Sequence, residues 1–408
     1  MADHTNILLP QAGVAIFASS ESLKRVAHDV AADWRFARVQ VDIQNGDIAT
    51  AVAAYGHQAS PELVIVETAD ISDAFIDRLG ELAGVCAQGT DAVVIGPKND
   101  VHLYRSLIGM GVRDYLVLPV SADDLVDVIA KTLLDKKGIA DSRLAVLIGG
   151  KGGVGVTSLA QSLAVIASED LGHKTLLTDA AGSGGTLGIA FGLDGGSGYN
   201  EVIRIGVSGG EDDLRRLLQK ANENLSVLLS GGDGILADHT DAEGVEKLLQ
   251  RLMQTYPLTV FDASGASHAV QKRLLTLAGH ITLVTAPMLP VLRNTRALLS
   301  EIKLLRGGTA DVDLVVNMQG IAGGDDVPAR DIRAALDLDP AATISYQPKI
   351  FAQADAAQHA VVAGKGGAEL RRTLDALARR MAGDSAADGN DKPRVQGRLG
   401  LFKKIIRK

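Results

Sequence analysis

LAVLIGGKGGVGVTS, residues Leu144–Ser158, is the stretch whose reading decides the fold. LAVLI reads as a strand buried on both faces, the glycines as a tight loop, and the hydroxyl pair as the start of a helix. Strand, glycine-rich loop and helix in that order make a phosphate cradle. The pattern G-x-x-x-x-G-K-[ST] fits from Gly150 to Thr157, except that Val156 stands at the lysine position. Gly152, Gly153 and Gly155 are expected to take positive φ, so that successive N–H groups point into one concave nest. A helix beginning near Thr157 adds its N-terminal dipole and free N–H donors. Thr157 is placed to ligate Mg²⁺ and Ser158 to donate to an inner phosphate. A lysine would bring a full charge to the outer phosphates; Val156 cannot.

Outward from the loop, the chain alternates apolar strands with amphipathic helices, as in an α/β fold of parallel sheets covered on both faces. LAVLIGG, TLLTDAA, LSVLLSGG, LTVFDAS, ITLVTAP and DLVVNMQ read as strands, with helices at 159–171, 242–255, 292–305 and 368–381. Asp262 ends LTVFD, where a carboxylate can hold Mg²⁺ through water. Asp179 ends TLLTD and is expected to face the γ-phosphate region. Asn317 ends LVVNM, where an amide can pair with an adenine edge.

Upstream, GVAIFAS, LVIVET, AVVIGP and DYLVLPV read as four more strands, with a helix at 122–134. Two doubly wound three-layer α/β domains are therefore expected, at 1–137 and 143–383, joined by a polar linker at 138–142. A flexible linker at 384–397 and a basic amphipathic tail at 398–408 follow.

Composition agrees with this organisation. The 408 residues are 46% apolar but only 3% aromatic, as expected for Ala, Val, Leu and Gly packed between helices and parallel strands. A formal net charge of −8 argues against a broad nucleic-acid-binding surface. Cys86, the one cysteine, permits no internal disulfide and fits a reducing cytoplasm; it is read as buried and inert. No signal peptide and no apolar run of about 18 residues is evident. Trp34 is read as a packing residue, and the nine histidines lack metal-ligand spacing.

KGGVGVTS resembles the deviant phosphate-loop signature of the ParA/MinD ATPases, with Lys151 as the family's extra lysine. TVFDAS, LVVNMQG, QPKIFAQADAAQHA and LPVLRNTRALL resemble the CpaE/TadZ branch, which serves Flp (Tad, type IVc) pilus assembly. The resemblance covers Arg143–Met381 and extends to the N-terminal domain, since that branch carries a receiver-like domain there. It implies ATP and Mg²⁺ as cofactors. It implies nucleotide contacts from Gly150, Lys151, Gly152, Gly153, Val154, Gly155, Val156, Thr157, Ser158, Asn317 and Pro348, with Thr157 and Asp262 at the metal. Lys151 and Asp179 take the catalytic roles, Lys151 by crossing a dimer interface to the partner's nucleotide. The partners implied are a second copy and the pilus secretion machinery with its motor ATPase, at the inner membrane or cell pole.

Two departures point to slow or absent hydrolysis. Val156 replaces the second lysine, and the family's D-x-D reads Asp179-Ala180-Ala181, so a water-positioning carboxylate is missing. The receiver-like domain is reduced too. Glu67 stands at the phosphoacceptor position and reads as a solvated strand end; Ser19-Ser20 replace the acidic pair, and Leu118 replaces the lysine before Pro119. That domain reads as an interaction module. The tail KPRVQGRLGLFKKIIRK carries seven basic and no acidic residues, with Val395, Leu399, Phe402 and Ile406 on one helical stripe. It suits weak contact with anionic lipid. Two alternatives stand beside the pilus reading: an active ParA/MinD-type ATPase positioning DNA, division or flagellar machinery, and a nucleotide-free scaffold.

Overall fold

A computed structural model describes residues 8–137, 142–193, 196–231, 241–308 and 311–384. The tail at 398–408 and most of the linkers lie outside them. In the first unit the elements are β1 (Ala12–Ala18), α1 (Glu21–Ala32), β2 (Val39–Asn45), α2 (Ile48–Tyr55), β3 (Leu63–Glu67), α3 (Asp73–Val85), β4 (Asp91–Gly96), α4 (Val101–Gly109), β5 (Asp114–Val117) and α5 (Ala122–Lys136). The sheet is parallel, in the order β2-β1-β3-β4-β5. Along β1 the faces alternate: Val14 and Ile16 pack with α1 and α5, while Ala15 and Phe17 pack with α2 and α3. The strand β2, VQVDIQN, was not foreseen; it is an edge strand, and its alternating polar residues hide it among the apolar runs.

The second unit runs through β6 (Arg143–Gly149), α6 (Val156–Glu169), β7 (Thr175–Asp179), α7 (Tyr199–Ser208), α8 (Glu211–Leu217), β8 (Leu218–Lys220), β9 (Leu225–Leu228), α9 (Ala242–Met253), β10 (Leu258–Asp262), α10 (His268–Leu277), β11 (His280–Thr285), α11 (Leu289–Leu305), β12 (Val312–Gln319), α12 (Ala329–Leu336), β13 (Pro340–Ser345), α13 (Pro348–Ala356) and α14 (Ala368–Ala382). Its sheet order is β13-β12-β11-β6-β10-β7-β9-β8, parallel except for β8. Leu144, Val146 and Ile148 face the layer that includes α7, α9, α10 and α11; Ala145 and Leu147 face α6 and α14. The chain turns to opposite sides of β6, so the loop after β6 stands where strand order reverses, the place where open α/β sheets leave a crevice.

Element ends differ in small ways from expectation. α6 begins at Val156, one residue before Thr157. α5 runs on to Lys136, two residues past its expected end at 134. Asp384, the first residue of the expected flexible segment, is seated against His173 at 3.1 Å. β8 and β13 were missed, being short or broken by a leading proline. Cys86 is half-buried at the end of α3, with its thiol pushed up by burial, rather than fully enclosed. Among the described residues no helix is long and apolar enough to cross a membrane.

Glu67 is not a solvated strand end. It is 3% exposed, and its Oε2 accepts from Ser19 N at 2.7 Å, Ser20 N at 2.8 Å and Ser19 Oγ at 3.1 Å. Burial pushes the carboxyl up, but the hydrogen bonds from Ser20 and Ser19 outweigh it and hold it below its ordinary value. Ser19 and Ser20, where the resemblance implies an acidic pair, are the donors that lock this carboxylate. A depressed carboxyl stabilises the fold above the unfolded-state pKa and loses that contribution as pH falls through the folded value. Glu67→Gln should therefore lower stability by about 1–2 kcal/mol at neutral pH, with the difference fading below about pH 4. Denaturant unfolding across pH measures this; a difference that persists at pH 3 would contradict it.

Candidate functional site

The loop between β6 and α6 is shaped by two left-handed glycines, Gly153 (φ 83°) and Gly155 (φ 91°); Gly152, expected to share this role, does not take positive φ. Gly155 is the N-cap of α6 and provides no side-chain cap, so the helix's first N–H groups are left for another acceptor. Gly150 lies so close to α11 that a Cβ there would overlap the Thr295 hydroxyl. Thr295 is itself fixed by Thr285 at 2.9 Å and by the Val291 carbonyl at 2.8 Å, so the loop's entry is braced from one side.

Val156 is buried among Val154, Leu159 and Ala160 on the α6 layer, and its methyl approaches Gly149. The side chain at the lysine position has therefore become core. Lys151 is exposed at the loop's start, and among the described residues no ion pair involves it. Thr157 Oγ1 donates to Asp262 Oδ2 at 2.5 Å, and Asp262 Oδ1 accepts from Ser264 N at 2.9 Å. Hydroxyl and carboxylate thus meet at the mouth of the loop. Ser158 sits half-buried in the first turn of α6, its carbonyl accepting from Ser162 Oγ at 2.6 Å.

Asp179 and Asp262 end neighbouring strands in direct register. Asp179 is 8% exposed, and its Oδ1 accepts from Ser230 Oγ at 2.8 Å. Ser230 also accepts from Gly182 N at 3.2 Å, tying the turn after β7 to the strand end. Burial pushes the Asp179 carboxyl up to about 6, the Ser230 hydrogen bond opposing and the Asp262 charge assisting. Ser230 carried no signal in the sequence, because a serine after an apolar run reads only as a strand end. Ala181, at the missing carboxylate, lies against Gly265, where a Cβ would stand 2.5 Å from its own. The turns after β7 and β10 therefore touch.

Asn317 is buried and donates from Nδ2 to the Val154 carbonyl at 2.8 Å. Its amide nitrogen is thus committed to bracing the loop, which leaves Oδ1 as the atom with acceptor capacity toward a base. Pro348 is exposed at the first turn of α13, which follows β13 two strands from β11 on the same sheet edge. The loop residues, Thr157, Asp179, Asp262 and Asn317 are therefore brought together, with Pro348 at the periphery. Beside Asp179 lies a cavity of about 300 Å³ whose lining includes Gly182, Gly185, Gly188 and Gly231.

Because folding raises the Asp179 pKa, its charge costs stability at neutral pH, and the cost is relieved as pH falls through about 6. Asp179→Asn keeps the acceptor for Ser230 and removes the charge. Without nucleotide or Mg²⁺ it should stabilise the fold by about 2 kcal/mol at pH 7.5, the gain shrinking toward pH 5. Chemical denaturation of both proteins at the two pH values measures it; destabilisation at pH 7.5 would contradict it.

No family model matches the chain. A chain from Sinorhizobium meliloti 1021 described as a CpaE2 pilus assembly protein is 39% identical, over 29% of this chain and 96% of its own length, with a TM-score of 0.28. The pilus assembly protein CpaE of Caulobacter crescentus CB15 is 33% identical over 30% and 93%, with a TM-score of 0.29. A ParA family ATPase of Chlorobium tepidum TLS matches 58% of this chain and 98% of its own at 17% identity and a TM-score of 0.53, which shows a shared fold. A chain of Guillardia theta described as a septum site-determining protein MinD is 26% identical over 202 residues, 48% of this chain and 72% of that one. Sequence identity of this level across nearly the whole of two CpaE chains shows that the protein belongs to the CpaE family of pilus assembly proteins, built on the ParA/MinD fold.

Proposed function

We propose that the protein is an ATP-binding, dimerising assembly and localisation factor for a Flp (Tad, type IVc) pilus, with slow or absent ATP hydrolysis. The observation that carries this reading is the uncapped N-terminus of α6 behind Gly153 and Gly155, with Thr157 and Asp262 paired at its mouth. Phosphate oxygens suit the free N–H groups and the helix dipole. A hydroxyl beside a strand-end carboxylate is an oxygen donor set suited to Mg²⁺, so the residues present fit that ion. Bound there, Mg²⁺ would neutralise phosphate charge. Asn317 Oδ1 would accept from the adenine amine, and Pro348 would lie beside the base.

The same residues argue against rapid turnover. Phosphoryl transfer relies on positioning and charge stabilisation, and removing one such group costs about 10²–10³ in rate. Val156 supplies no cation, and Ala181 supplies no carboxylate to orient water. Lys151, exposed and reaching outward, would serve the nucleotide of a second copy. The first unit, with Glu67 locked by Ser19 and Ser20, would act as an interaction module toward the secretion machinery and its motor ATPase.

Calorimetry should detect MgATP binding coupled to dimerisation, without steady phosphate release. Thr157→Ala should weaken Mg²⁺-dependent binding at least tenfold. Failure of the intact protein to bind MgATP would favour a nucleotide-free scaffold, and sustained hydrolysis would favour an active ParA/MinD-type ATPase.

The basic tail would add weak, peripheral contact with anionic lipid at the inner membrane. α14 supports that reading, because its C-cap Gly383 packs on Arg143 at the start of β6, on the sheet edge opposite the glycine loop. Lipid contact and nucleotide-driven pairing would then use opposite ends of the unit, and a dimer would present two tails. Flotation with anionic liposomes should carry the intact protein and lose most of it after truncation at residue 398; equal flotation would remove the lipid role.

A further inference from the structure

The two units meet through the apolar Met253 and through polar contacts, several of which α10 reaches. Glu246 of α9 is 2% exposed, yet it lies between two arginines, Arg38 of the first unit and Arg273 of α10, the latter with Nε at 2.5 Å. The Thr276 carbonyl of α10 accepts from Leu8 N at 3.2 Å. The Leu275 and Ala278 carbonyls accept from Arg306 Nη1 at 3.0 and 2.8 Å. The Arg306 guanidinium in turn lies 5.1 Å from the centre of the Trp34 ring in the first unit. Gly307 admits that ring, since a Cβ there would stand 2.5 Å from Trp34 Cδ1.

The other end of α10 reaches the candidate nucleotide site. Only Ala263–Ser267 separate Asp262 from its first residue. Gln271 Nε2 donates to the Ala263 carbonyl at 2.9 Å, and Ala263 N donates to the Leu147 carbonyl of β6 at 2.9 Å. Val270 and Leu274 are fully buried beneath the helix. A ten-residue helix is about 15 Å long, and close packing makes it move as a body rather than bend.

We infer that α10 couples the nucleotide site to the first unit, so that seating of Mg²⁺·ATP at Asp262 displaces the Arg38–Glu246–Arg273 and Trp34–Arg306 contacts. The inference rests on the nucleotide reading above. When Asp262 exchanges its hydrogen bond with Thr157 for a metal shell, the turn 263–267 shifts, Gln271 carries the shift into α10, and the far end of the helix moves against Leu8, Arg38 and Trp34. The coupling runs both ways: a partner that grips the first unit and favours one setting of this interface changes nucleotide affinity by the same factor.

Trp34, the single tryptophan, reports the interface directly. Full-length protein is titrated with MgATP while heat and tryptophan emission are followed in parallel. The expected result is an emission change that follows the same isotherm as the heat. In Gln271→Ala, affinity stays within about threefold of the parent while the emission change falls by at least half. Hydrogen exchange of the intact protein supplies a measurement independent of any variant: protection of the Leu8 amide should change with MgATP. Absence of heat overturns the nucleotide reading and the coupling with it. Heat without a change at Trp34 or Leu8 overturns the coupling alone. A full-sized emission change in Gln271→Ala overturns α10 as the route.

Discussion

Two carboxylates in register on adjacent parallel strands set the terms for the rest of the second unit. Asp179 closes β7 and Asp262 closes β10, paired residue to residue on strands about 4.8 Å apart. Two charges so placed repel, and the fold answers them differently. Asp262 is met by the Thr157 hydroxyl and the Ser264 amide, whereas Asp179 is buried, bonded to Ser230, and easier to protonate than an ordinary carboxyl. The two therefore differ in role: Asp262 faces the mouth of the glycine loop while Asp179 organises the neighbouring turn. The glycine loop gains chemical meaning from this arrangement, since α6 directs its N-terminus toward the end of the sheet where both carboxylates lie.

Much of this was legible along the chain because the signals were local. LAVLIGGKGGVGVTS carries its strand, loop and helix in consecutive residues, and the buried strands of both sheets are continuous apolar runs. What stayed hidden depends on neighbours distant in sequence. Ser230 matters only because β9 lies beside β7, and Asn317 braces the loop only because the ends of β12 and β6 converge across β11. Glu67 reads as a polar strand end until Ser19 and Ser20 are brought onto it from β1. Edge strands fail for another reason: β2 and β13 are half polar, so no run of apolar residues announces them.

The two units settle their strand ends in one way. In the first, Ser19 and Ser20 donate to the buried Glu67. In the second, Val156 has joined the core beside Gly149 and Val154, and Ala181 packs against Gly265. These positions are filled by groups that satisfy one another. Replacing a charged group by a well-packed apolar one of suitable shape is often neutral or stabilising, so these turns gain order from their packing.

On the function proposed above, a nucleotide acts through structure, and the connection between the units supplies the means. Its polar contacts include a buried glutamate between two arginines and a guanidinium over an indole ring. Such contacts depend steeply on geometry: a shift of an ångström at Glu246 exchanges a satisfied buried charge for an unsatisfied one, a change of several kcal/mol. An apolar interface of similar extent would slide with little penalty. Because α10 is anchored at Ala263 by Gln271 and at the first unit by its last turn, the steepness of the polar contacts is felt at Asp262. Asp262 and the first unit thus belong to one mechanical element, joined through α10.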